Sequence, residues 1–165
     1  MRMIVFLTLM ALLFAAALPT TPLAAAPTDR VALKGVRTGK AVFDVNVTDA
    51  EKLSLYLQVI TETLEGLKTQ GVRPEMVVAF RGAAVRFVST DRKSFSADTI
   101  DALAEADALI AGLAKQGVRF EACAIATRLF KVDNATILPQ VSVVANTFIS
   151  LVGYQARGYA LVPIY

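Results

Sequence analysis

An α/β domain, with a mostly parallel sheet of about five strands covered by helices on both faces, is what this sequence predicts. Three observations carry the prediction. Short β-rich runs alternate with long amphipathic stretches along the chain. Met76 to Phe80 (MVVAF) is wholly apolar, as a parallel strand buried on both faces is. The hexapeptide Gln70-Gly71-Val72-Arg73-Pro74-Glu75 recurs as Gln116-Gly117-Val118-Arg119-Phe120-Glu121, each copy between a helical pattern and a strand pattern. With only two copies, the repeat reads as one good helix-to-strand joint used twice rather than as an array.

The elements follow in order. Ala41 to Val47 (AVFDVNV) alternates after Phe43 and predicts the first strand. Thr48-Asp-Ala-Glu51 has the spacing of a capping box and predicts a helix start at Thr48. The helix carries Leu53, Leu57, Ile60, Leu64 and Leu67 on one stripe, and Gly71 supplies its left-handed stop. Met76 to Phe80 is the second strand, with Arg81 and Gly82 at its carboxyl end. Ala83 to Val88 fits either a short helix or an extended piece. After the polar loop Asp91 to Ser96, a second long helix is expected with Ile100, Leu103, Ala106, Ile110 and Leu113 inward, ending at Gly117. Val118 to Ile125 is the third strand, and Thr127 to Val132 turns helical. Pro139 leads into the strand Val141 to Val144, Asn146 caps a last helix through about Gln155, and Tyr159 to Val162 closes the sheet.

Ahead of this domain, residues 1–26 have the three-part plan of a secretory signal: Arg2, an apolar stretch from Met3 to Leu18, and small residues at Ala24 to Ala26. That stretch is shorter than the roughly 20 residues that span a bilayer, so it reads as cleaved, leaving no membrane segment. A periplasmic or secreted location follows. Residues 27–39 lack periodicity and read as a flexible lead-in to a domain over 40–165. The mature chain of about 140 residues suits one domain. Lys and Arg total 17 against 14 Asp and Glu, with no basic block, so nucleic acid is not an expected partner.

There is one cysteine, Cys123, and no histidine. A Ser-His-Asp triad, a Cys-His pair, an internal disulfide and His-based metal sites are thereby excluded, and no cofactor is called for. Composition alone favours a packed core thiol, because free cysteine is among the most buried residue types. Position favours chemistry: Cys123 lies near the carboxyl end of a parallel strand, where ligands of open sheets gather. A helix starting just after it would aim unpaired amides at the sulfur, and Arg81, Gly82 and Arg128 are candidates for stabilising an anion there. Glu121, two residues earlier, would oppose a thiolate. Asp44 and Glu121 are candidates for neighbouring strands. Tyr154, Gln155, Tyr159 and Tyr165 read as edge packing or a subunit contact.

Taken together, KAVFDVNV, AFRGAAVRFV, GVRFEACAIA, ILPQVSVV and QARGYALVPIY, in this order from Lys40 to Tyr165, resemble the DsrE/DsrF-like family of small sulfur-relay proteins. The resemblance implies a three-layer α/β/α domain and a homo-oligomer, from dimer to hexamer. It also implies that Cys123 carries sulfur as a persulfide between a protein donor and a protein acceptor. The chain departs from many relatives in having Arg81 and Ala83 where they have His and Pro. An active chain would be a sulfur carrier or an accessory to a sulfurtransferase. The alternatives are a non-catalytic oligomeric binding or assembly module with a packed cysteine, and a thiol redox sensor.

Overall fold

A computed structural model describes residues 27–165, so the export signal read at 1–26 lies outside the described residues. Five strands, β1 (Thr38–Val45), β2 (Arg73–Phe80), β3 (Arg119–Cys123), β4 (Val141–Val144) and β5 (Ala160–Ile164), form one sheet in the order β4-β3-β2-β1-β5, all parallel. The helices α1 (Ala50–Thr69) and α2 (Ala97–Lys115) lie side by side on one face, and α4 (Thr147–Ala156) covers the other. This is the expected three-layer α/β/α arrangement. Right-handed crossovers explain it: steps from β1 through β3 run one way with helices on one face, and the return from β4 to β5 runs back with α4 on the opposite face. Among the described residues, no helix is long and apolar enough to cross a membrane.

The larger core lies under α1 and α2. Leu53, Leu57, Ile60 and Leu64 of α1 and Leu103, Ala106, Ile110 and Leu113 of α2 are buried as their spacing requires. Phe80 and Phe120 stack beneath them with centroids 6.2 Å apart. Each such buried side chain stabilises the fold by about 1.5–3 kcal/mol relative to exposure. Glu105 of α2 accepts hydrogen bonds from Ser54 and Gln58 of α1, at 2.6 and 2.7 Å, and so fixes the two helices in register.

The repeated Gln-Gly-Val has a backbone explanation. Gly71 and Gly117 sit at φ +79° and +90°, and the following Val72 and Val118 amides reach back to Leu67 O and Leu113 O at 2.9 and 3.1 Å. That is a Schellman stop, with the buried valine as its apolar clasp. Gly158 ends α4 in the same way, with the Tyr159 amide on Tyr154 O.

Several boundaries differ from expectation. The α1 cap is Asp49, not Thr48: its Oδ1 accepts from the Lys52 amide at 2.7 Å, and a carboxylate also complements the positive end of the helix. Ile100 is 38% exposed because nothing covers the first turn of α2. Ala83 to Val88 resolves mainly into a 3₁₀ helix at Gly82–Arg86. β3 stops at Cys123, two residues short, because α3 (Ala124–Leu129) begins at once. Residues 30–35 form a turn, and the Asp29 amide and carboxylate exchange hydrogen bonds with Gln70.

Candidate functional site

Three chain segments meet beyond the carboxyl ends of the central strands. β2 leaves the sheet through Arg81 and Gly82 toward the α2 side, and β4 leaves through Asn146 into α4 on the other side. Between these diverging paths β3 ends at Cys123, which is the N-cap residue of α3. A cavity of about 240 Å³ opens there, lined by Arg81, Cys123, Leu129, Phe130, Thr147 and Phe148 among others. Register puts Phe80 opposite Ala122, so the next residues, Arg81 and Cys123, stand level at the sheet end. The sequence repeat aligns Val77 with Cys123, whereas the sheet pairs Val77 with Arg119; the repeat marks the strand entrances, not the strand ends.

Cys123 is 5% exposed, and amides at the starts of α3 and α4 lie near its thiol. Burial pushes the thiol up. The Thr147 amide, the Ala126 amide, the Thr147 hydroxyl and the Ile125 amide oppose this, and together they hold the thiol below its ordinary value. Local sequence explains the donors. Asn146 caps α4 by accepting from the Phe148 amide at 2.9 Å, which leaves the first helical amide, that of Thr147, directed at the sulfur.

Arg81 lines the cavity with Cys123, but its charge is already engaged. Its Nε and one terminal nitrogen donate to the two Asp44 carboxylate oxygens at 2.6 and 2.9 Å. The guanidinium also lies 5.6 Å from the ring centroids of both Phe148 and Tyr165. The hydrogen bond to Asp44 is the main reason that Arg81 is held protonated still more firmly than usual. Gly82 contributes backbone shape: at φ +55°, any Cβ there would collide with Asn46 Oδ1. Arg128 is exposed on α3 and does not line the cavity.

Asp44 and Glu121 are not on neighbouring strands. β2 lies between them, and both pair with Ala79, so they share one row across the sheet. Glu121 Oε1 accepts from Tyr154 at 2.5 Å. Burial, and then this bond to Glu121, push the Tyr154 phenol up. Tyr159 accepts from Arg119 at 2.8 Å, and Tyr154 and Tyr159 are buried edge to face against one another. Tyr165, by contrast, is exposed.

Among the described residues, two buried side-chain atoms lack any hydrogen-bond partner: Glu121 Oε2 and Thr147 Oγ1. The second belongs to the cavity. Thr147 is 1% exposed, and its hydroxyl completes no hydrogen bond with the neutral thiol, while a thiolate would draw one from it. Of the residues singled out from sequence, Cys123, Arg81 and Gly82 line the cavity; Thr147, which also lines it, and the Asp44 partnership of Arg81 were not among the sequence readings. The Asn146 cap was the available signal for Thr147, since a capped helix has a defined first residue. No group of His, Cys, Asp and Glu among the described residues could hold a metal ion. A second hollow, of about 140 Å³, mixes Arg86, Lys93 and Lys131 with Asp91 and Asp133 and has no buried unpartnered group.

Comparison with known proteins gives a consistent picture. The model of the DsrE/DsrF-like family matches residues 38–164. An uncharacterized protein of Aquifex aeolicus is 30% identical over 125 residues, 75% of this chain and 55% of that protein, so the chain spans about half the relative's length. Among solved structures, a protein of unknown function from Methanobacterium thermoautotrophicum superposes with a TM-score of 0.60 at 22% identity, over 76% of this chain and 98% of that one. The ychN protein of E. coli gives 0.51 at 14% identity, over 76% and 99%. At these identities the two structures establish a shared fold.

Proposed function

This chain belongs to the DsrE/DsrF-like family, a family often engaged in sulfur relay, and we propose that Cys123 is its sulfur-carrying residue, working as a persulfide outside the cytoplasm. The observation that carries this reading is the thiol's setting: a strand end that opens into a cavity, with the α4 amide at Thr147 directed at the sulfur and a thiol held below its ordinary value. A thiolate is the form that attacks sulfane sulfur, and the same amides stabilise the anionic terminus of a persulfide. The apolar stretch with small residues at Ala24 to Ala26 supports export of the chain.

Self-association is part of the proposal. Phe148, Ile149 and Val152 of α4 are 60–69% exposed and adjoin the cavity mouth through Phe148. An apolar stripe of this kind suits a contact between copies of the chain. A protein sulfur donor or acceptor would then approach the cavity between subunits.

Incubation of the reduced protein with inorganic polysulfide, followed by intact-mass measurement, is expected to show a single reducible sulfur adduct, absent in Cys123→Ser. The same adduct on Cys123→Ser would overturn the assignment. The low exposure of Cys123 favours one competing reading, a packed and inert cysteine in a binding module. Under that reading native Cys123 reacts with a small thiol reagent only as fast as the protein unfolds; fast native labelling excludes it.

A further inference from the structure

Resting on the carrier reading, the cavity says what kind of donor it admits. Arg81 is the only charged side chain among the described residues that line it, and both carboxylate oxygens of Asp44 already occupy that guanidinium. Ile125, Leu129, Phe130 and Phe148 make the rest of the wall largely apolar, and Leu129 and Phe148 are 69% and 60% exposed at its mouth. An oxyanion donor such as thiosulfate would bring two negative charges toward a thiolate and expel sulfite, with no free cation to offset either. An apolar body would bury surface instead.

The second observation is the Thr147 hydroxyl, buried and without a partner in a residue that lines the same cavity as Cys123. A buried hydroxyl left unpaired is costly, so its retention calls for a ligand state that satisfies it. A sulfur anion on or beyond Cys123 Sγ is such a state.

We propose that the Cys123 cavity takes its sulfur from a small hydropersulfide with an apolar substituent, R–S–SH, in preference to thiosulfate, and that Thr147 Oγ1 donates a hydrogen bond to the sulfur being transferred. The Cys123 thiolate attacks the outer sulfur of R–S–SH. A bond forms between Sγ and that sulfur, the bond between the two donor sulfurs breaks, and its electron pair leaves as RS⁻. The products are Cys123–S–SH and a thiolate, with no external oxidant and with the proton retained on the transferred sulfur. Thr147 touches the reacting atoms, whereas Phe148 and Leu129 select the substituent.

The test compares rates of Cys123 persulfidation, read by intact mass, for an alkyl hydropersulfide released from a masked precursor, glutathione persulfide, and thiosulfate. The alkyl donor is expected to react at least about tenfold faster than thiosulfate, the scale of burying about two methylene groups. Phe148→Lys, a change on an exposed side chain, should narrow that ratio by adding a cation at the mouth. Thr147→Val should slow every donor alike and raise the pH at which Cys123 alkylation half-rises, and Thr147→Ser should restore both. Thiosulfate reacting as fast as the alkyl donor overturns the selectivity, and a Thr147→Val protein with an unchanged alkylation profile overturns the role of the hydroxyl. Glutathione persulfide matching the alkyl donor would show that the apolar wall does not select, and also counts against the proposal. Failure of all donors, inorganic polysulfide included, would instead remove the carrier reading itself.

Discussion

The two faces of the sheet are built on different principles. Toward α1 and α2 the strands present Phe43, Val45, Met76, Val78, Phe80 and Phe120, all apolar and buried, and the fold there depends on packing. Toward α4 they present Val42, Val77 and Ala79, but also Asp44 at 4% exposure and Glu121, tied into a network with Arg81, Arg119, Tyr154 and Tyr159. Groups that are costly to bury are concentrated on one side, and Cys123 ends its strand two residues beyond Glu121, in contact with the larger core. The dry face stabilises the domain; the polar face holds the helix start that conditions the thiol.

Substitutions can break this contrast. Phe80→Ala on the dry face should be the most damaging, costing about 3–5 kcal/mol in denaturant unfolding, because it opens a cavity against Phe120. On the polar face, Asp44→Ala should cost about 3 kcal/mol by leaving the Arg81 guanidinium half-buried and unpaired. Asp44→Ala combined with Arg81→Met should recover most of that loss; a double variant as unstable as the single would show that Asp44 acts through something other than the pair. Tyr154→Phe should cost about 1–2 kcal/mol, since it strips Glu121 of its one hydrogen bond. Smallest, and opposite in sign at neutral pH, where the thiol is protonated, is Thr147→Val: removing a buried unpaired hydroxyl should raise stability there by up to about 1 kcal/mol while reducing thiol reactivity. A variant that is more stable and less reactive would identify Thr147 as a residue kept for chemistry rather than for folding.

What the sequence revealed follows the same division. The dry face was legible because the stripe Leu53, Leu57, Ile60, Leu64 and the run Met76 to Phe80 are periodic signals that depend only on neighbours along the chain. The Schellman stops at Gly71 and Gly117, the helix start near Ser96 and the cap at Asn146 were legible for the same reason. The shift of the α1 cap from Thr48 to Asp49 shows the limit of such signals: two adjacent residues both cap well, and three-dimensional entry of the chain decides between them. Cys123 and its strand end could be read, but its donors could not. The Thr147 amide reaches the sulfur only because α4 starts beside β3 after β4 is placed at the sheet edge, and Arg81 meets Asp44 only through the β1 to β2 register. These are long-range consequences of topology, to which periodicity is blind.

The lowered thiol also links to stability. A thiol held below its unfolded value stabilises the fold fully above that unfolded value, and the contribution fades as pH falls through the lower, folded value. The Thr147 amide and hydroxyl are therefore expected to matter more to stability at alkaline than at neutral pH.

The measurement that bears most directly on the central claim is the pH dependence of Cys123 alkylation by a small haloacetamide, in the native protein and in the same chain unfolded by denaturant. A site that stabilises the thiolate predicts a native half-rise at lower pH than the unfolded one, by a margin that shrinks in Thr147→Val. A native half-rise at higher pH, or labelling that waits on unfolding at every pH, would contradict it and leave Cys123 a packed core residue.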